Sequence, residues 1–116
     1  MARLDHAAFE SPDPDRAAAF YERVLGARVV KPEGHPVMAY VAGGGFAFHE
    51  LDGPGDHIGV EVDEDELQRI KERLGAAGIE WEERDHAIAV GVFFRDPDGR
   101  LVEAITYRAG DTRRVE

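Results

Sequence analysis

Asp56-His57-Ile58-Gly59-Val60-Glu61-Val62 decides how the chain is read. It alternates apolar and polar positions, as a half-buried strand does. Asp63 follows as a helix N-cap, and Glu64, Asp65 and Glu66 place negative charge in the first turn, where the helix dipole favours it. Leu67, Ile70, Leu74 and Ala77 recur at helical spacing as a buried stripe, and Gly78 is placed to end the helix. Strands are then expected over 79–84, 87–94 and 101–107. The last two are joined by the turn Asp96-Pro97-Asp98-Gly99.

The first half follows the same plan. Arg3 to Glu10 reads as a strand, and Asp13-Pro14 as an N-cap with proline at the first helical position. Ala17, Phe20, Tyr21, Val24 and Leu25 share one helical face, and Gly26 closes the helix. Strands are expected over 27–30, 37–41 and 46–51, with Gly43-Gly44-Gly45 as a tight connection. Each half is therefore βαβββ, and the chain reads as an α+β domain with one internal repeat. Module one covers about 3–52 and module two about 56–107. The polar tail, 108–116, is expected to fray.

The repeat brings chemistry-bearing residues into register. Asp5-His6 opens the first unit and Asp56-His57 the second, while Glu50 closes the first and Glu103 the second. Glu103 falls in an apolar row with Leu101 and Ile105, and Glu50 in one with Phe46 and Phe48. A carboxylate in such a row is costly to bury, and a cation offsets that cost. Two imidazoles and two carboxylates make a donor set for a borderline divalent metal. Each residue also has a plainer reading. A strand histidine is more often hydrogen-bonded than metal-bound, and a glutamate can pair with one of the twelve arginines. A one-residue register slip would also put His49 in the place of Glu50. His35 sits in a turn, and His86, near a strand junction, is a weaker candidate acid or base. Gly43-Gly44-Gly45 lacks the lysine and following helix of a phosphate loop. Ser11 lacks a nearby His-Asp pair, and Trp81 suits either a core or a cavity wall.

Composition narrows the function classes. The chain has 116 residues, 43% of them hydrophobic, enough for one compact domain. With no cysteine there is no disulfide, thiolate site or cysteine nucleophile. The net charge of -10 repels phosphate backbones, so nucleic acid is not an expected partner. No apolar run approaches the roughly 20 residues of a membrane span, and the N-terminus lacks a signal-peptide core. A cytoplasmic location is the expectation.

Three stretches resemble a known group. They are Leu4-Asp5-His6 with Ala19-Phe20-Tyr21-Glu22-Arg23-Val24-Leu25-Gly26, then Asp56 to Val62, then Phe93-Phe94-Arg95-Asp96-Pro97-Asp98-Gly99 leading to Glu103. Together they look like the vicinal oxygen chelate superfamily of glyoxalases, bleomycin-resistance proteins and extradiol dioxygenases. The resemblance implies two βαβββ modules forming a cupped mixed sheet around a divalent metal, nickel, zinc, cobalt, manganese or iron. It implies His6, Glu50, His57 and Glu103 as ligands, with Glu103 or Glu50 moving a proton. It also implies a small-molecule substrate with vicinal oxygens and a homodimer. The His-Glu-His-Glu set is like that of glyoxalases, which act as lyases or isomerases through an enediolate. Dioxygenase and fosfomycin-transferase members match only His6, His57 and Glu103, and bleomycin-resistance members bind a drug without metal. Two departures bear on the substrate. The link from Glu50 to His57 is shorter than in glutathione-using glyoxalases, and Arg16, Arg95 and Arg100 offer no matched carboxylate anchor.

Overall fold

The computed structural model describes residues 2–86 and 88–108. The chain divides into two compact units, Asp5–Asp56 and a second built chiefly from His57 onward.

The first unit contains most of β1 (Arg3–Glu10), then α1 (Pro14–Leu25), β2 (Arg28–Val30), β3 (Val37–Val41) and β4 (Gly44–His49). Its strands lie in the order β2-β3-β4-β1. The β1/β4 pair is parallel and the other two pairs are antiparallel. Asp13 caps α1 by accepting the Arg16 N–H at 3.1 Å, and Gly26 ends it with φ 70°. In that left-handed turn the Ala27 N–H returns to the Tyr21 carbonyl. The core joins α1 to one sheet face through Ala18, Ala39 and Phe48, with Tyr21 against the Phe46 and Phe48 rings at 4.7 and 5.0 Å. The apolar helical face expected from the sequence is only partly used. Phe20, Val24 and Leu25 are more than half exposed, because the sheet of this unit covers only the Ala18–Tyr21 side.

The second unit contains β5 (His57–Glu61), α2 (Glu64–Ala76), β6 (Trp81–Asp85), β7 (Ala89–Arg95) and β8 (Leu101–Tyr107). Its strands follow the order β5-β8-β7-β6, with β5/β8 parallel and the others antiparallel. Asp63 caps α2 through the Glu66 N–H, and the Ile79 N–H closes its end onto Leu74. Val62, Leu67, Leu74, Val92 and Ala104 form its core, with Ile70 packed against it. Ala77 is the exposed C-cap residue rather than part of that stripe.

The expected α+β class and the βαβββ order of each half are both present, and the boundary differences are local. Gly44 and Gly45 belong to β4, leaving Ala42-Gly43 as the turn, with Gly43 at φ 85°. Weak strand propensity hides glycines of this sort, which here permit close approach. A side chain at Gly44 would press on the Asp5 carbonyl, and one at Gly45 on the Tyr40 ring. β4 therefore starts and ends two residues early, at His49 rather than Leu51. The strand expected over 87–94 is observed as Ala89–Arg95, and Ala87 lies outside the described residues. Of the tail expected to fray, only Arg108 is described, and it is held. Its guanidinium makes two hydrogen bonds to Asp85 at 2.9 and 3.0 Å, and its N–H donates to the Ile88 carbonyl.

Leu74→Ala should cost about 2–5 kcal/mol in a denaturant melt, the usual range for a truncated core leucine. Phe20→Ala should cost less than about 1 kcal/mol, since its ring is already half in solvent. The Asp96 turn adds a pH dependence. Its carboxyl is held below its ordinary range chiefly by the Arg100 backbone N–H, with the Arg100 side chain and the Asp98 N–H adding to it, and loss of hydration opposes them as the second-largest effect. A lowered folded value means that stability is present above the ordinary carboxylate range. It is lost as the pH falls through the folded value. An NMR titration should show Asp96 more ionised than a free aspartate at the same acidic pH.

Candidate functional site

The second unit holds a buried cluster of ionisable groups. Val60, Val62, Val92 and Ala104 turn toward α2, so strand alternation turns His57, Glu103 and Phe93 to the opposite sheet face. Glu103 pairs in register with Gly59 on β5 and Phe93 on β7. Its side chain is 3% exposed, and that of His57 is 2% exposed. Glu103 Oε1 lies 3.5 Å from His57 Nε2. Its other oxygen, Oε2, lies 2.9 Å from Nε2 of His86, which is nearly a third exposed. An ionised carboxylate only accepts, so the His86 Nε2–H donates.

Phe93 organises the surroundings of the cluster. Its ring meets His57 edge-on at 5.2 Å and His86 at 6.1 Å, and the Arg84 guanidinium lies 5.4 Å from its centroid. Gly91, on the same face of β7, makes the space for the carboxylate. A Cβ there would collide with Glu103 Oε2.

In the first unit, His6 lies on β1 opposite Gly45, on the parity of Ala8 and Ala47. Those alanines pack with Met38 on the sheet face away from α1. His6 Nδ1 is 2.8 Å from the carboxylate of Asp5, a buried residue. If Asp5 takes the Nδ1 hydrogen, the ring's lone pair sits on Nε2, the arrangement that a metal-ligating histidine uses. Asp56, which precedes His57 as Asp5 precedes His6, behaves differently, because it accepts the Glu10 N–H within the first unit at 2.7 Å.

Glu50 stands apart from the other expected site residues. It is exposed, one residue beyond β4, on the parity of Phe46 and Phe48 rather than that of Ala47. The registers give the reason. Gly59 faces Glu103 across β5 and β8, and its counterpart in the first unit, Ala8, faces Ala47. Ala47 therefore occupies the place in the first unit that Glu103 has in the second. The match of Glu50 to Glu103 read from the sequence is displaced by three residues. His49 shares the Ala47 parity but lies opposite Glu10, farther along the strand.

Sequence reasoning passed over Asp5, Gly91 and the His86–Glu103 contact. Gly91 carried a usable signal, since an isolated glycine within a strand marks a close approach. Nothing in the sequence paired His86 with Glu103, seventeen residues away.

The sequence model of the Glyoxalase/Bleomycin resistance protein/Dioxygenase superfamily matches residues 3–104. The chain belongs to this superfamily. A lactoylglutathione lyase of Neisseria meningitidis (serogroup A / serotype 4A) is 28% identical over 129 residues, covering 94% of each chain. That alignment is longer than the 116 residues here, so the lyase carries insertions that this chain lacks. Two solved structures share the fold. Methylmalonyl-CoA epimerase of Mycobacterium tuberculosis superposes with a TM-score of 0.74 at 22% identity, covering 91% of this chain and 88% of its own. The 2,2',3-trihydroxybiphenyl 1,2-dioxygenase of Sphingomonas wittichii gives 0.66 at 21% identity, covering 92% of this chain and 41% of its own.

Burying a carboxylate between two imidazoles in an apolar row opposes folding unless a cation joins it. In metal-free protein, Glu103→Gln should therefore raise the melting temperature by a few degrees, equivalent to about 1 kcal/mol. Thermal melts in the presence of chelator check this.

Proposed function

We propose that the protein is a divalent-metal-dependent lyase or isomerase acting on a small substrate with two vicinal oxygens, that His57 and Glu103 hold the metal, and that His6 is a further ligand, as the resemblance implies. The observation that carries the proposal is the Glu103 carboxylate, 3% exposed and 3.5 Å from an equally buried imidazole. Metal donors at about 2.0–2.2 Å leave neighbouring ligand atoms roughly 3–3.5 Å apart, so this pair suits a shared ion. The donor set of imidazole nitrogen and carboxylate oxygen fits zinc, nickel, cobalt, manganese or iron.

A bound ion of this kind would supply Lewis-acid polarisation of the substrate oxygens. The protein groups have separate tasks. Glu103 accepts the proton leaving the adjacent carbon and returns it to the neighbouring one. The Phe93 ring closes one side of His57 and keeps water from it. Asp5 orients His6. Because Glu50 is exposed beyond β4, proton transfer is assigned to Glu103 alone. The insertions of the meningococcal lyase that are missing here favour a substrate more compact than a glutathione adduct. The proposal includes a homodimer, as the resemblance implies.

The exposure of Glu50 also favours a second reading, dioxygenase chemistry. Two histidines and one carboxylate with open positions is the ligand set of non-haem iron(II) oxygenases. Metal identity separates the two, since iron with oxygen uptake on catechols supports the second. Zinc, nickel or cobalt with isomerisation of 2-oxoaldehyde–thiol adducts supports the first.

Elemental analysis after loading with nickel, zinc or iron tests the site. Wild-type protein and Glu50→Gln should each hold about one equivalent, while His57→Ala and Glu103→Ala lose it, as removal of a ligand dictates. Wild-type protein that takes up none of the three metals would sink the proposal.

A further inference from the structure

We infer that His86 is a positioning residue that, together with the missing side chain of Gly91, holds Glu103 so that Oε1 alone is offered as a ligand. The inference rests on the proposed metal role of Glu103 and extends it to residues outside the ligand set.

The two carboxylate oxygens have different surroundings. Oε1 faces His57 at 3.5 Å, whereas Oε2 accepts from His86 at 2.9 Å. An oxygen that accepts a ring N–H at that distance has one of its two in-plane lone pairs committed. The carboxylate is thereby disposed to bind through one oxygen.

The His86 ring is itself held. Its backbone N–H donates to the Ala89 carbonyl and its carbonyl accepts the Ile88 N–H, both at 2.8 Å. These bonds fix the chain where β6 gives way to β7. The ring lies edge-on to Phe93 with an interplanar angle of 69°, and Phe93 is in turn packed by His57 and Arg84. His86 thus presents Nε2 from a fixed position.

Gly91 supplies the other half of the arrangement. The carboxylate lies over its Cα, and a methyl group would collide with Oε2 and come within 2.9 Å of Cδ. Gly91 has no positive φ, so its backbone tolerates alanine. An alanine there acts on the carboxylate and pushes Oε2 off His86. Two residues on different elements therefore control one torsion of Glu103. Partners that fix a ligand in this way typically affect metal affinity 10–100-fold.

A purely structural hydrogen bond would change the melting temperature and leave metal binding alone, so the test reads metal binding. Cobalt(II) is titrated calorimetrically into full-length wild-type protein, His86→Ala, His86→Gln, Gly91→Ala and the His86→Ala/Gly91→Ala double variant. Visible spectra are recorded for each, and circular dichroism checks folding. His86→Ala should bind cobalt about 10–100-fold more weakly, with an altered d–d spectrum. His86→Gln, whose amide still donates, should restore most of the affinity and the wild-type spectrum. Gly91→Ala should match His86→Ala, and the double variant should lose no more than either single, because both act through one contact. Folded His86→Ala with wild-type affinity and spectrum would overturn the inference, as would losses that simply add in the double variant. Wild-type protein that binds no cobalt would instead remove the metal reading on which the inference stands.

Discussion

The second unit is arranged around a charge in the wrong place. Glu103 sits within β8 between Val102 and Ala104, with Ile105 beyond, and it is nearly inaccessible to solvent. A carboxylate there loses its hydration, and only fixed partners replace it. His57 comes from the parallel neighbour β5, and His86 from the link between β6 and β7. Phe93 stands directly opposite in register, and Gly91 leaves a gap in the sheet face. Each is a concession to one buried group, and such groups cluster at functional sites.

The two units share an architecture but not a chemistry. Asp5 lies on β1 and bonds the neighbouring His6 imidazole, whereas Asp56, just before β5, bonds the Glu10 backbone. Both units place a fourth strand parallel to the first, yet one presents Ala47 where the other presents Glu103. The repeat preserved the backbone plan, which depends on apolar patterning and capping. The polar groups on the faces away from the helices diverged, because helix packing does not constrain them.

Much of this was legible before any coordinates. The N-caps Asp13 and Asp63, the terminating Gly26 and Gly78, and the alternating strands each carry a local signal, and all act within a few residues. Strand β8 was read with its true bounds because the Asp96–Gly99 turn marks its start. Strand β4 was displaced because Gly44 and Gly45 look like turn residues, although they serve close packing. Glu50, placed by analogy with Glu103 in the repeat, lies one residue beyond the end of that strand. A slip of one residue reverses the face of a strand, and a slip of three also moves its end.

The amino-acid sequence by itself determined the βαβββ order, the superfamily resemblance and the candidacy of His6, His57 and Glu103. These follow from periodicity, capping and short motifs, which are local in the chain. Only the tertiary structure decided which carboxylate is buried, that Glu50 is exposed, and that His86 and Gly91 lie against Glu103. Those facts depend on strand register and on contacts between distant residues. The energy of burying a charge is set by what surrounds it in space, and strand pairing, not chain order, chooses those surroundings.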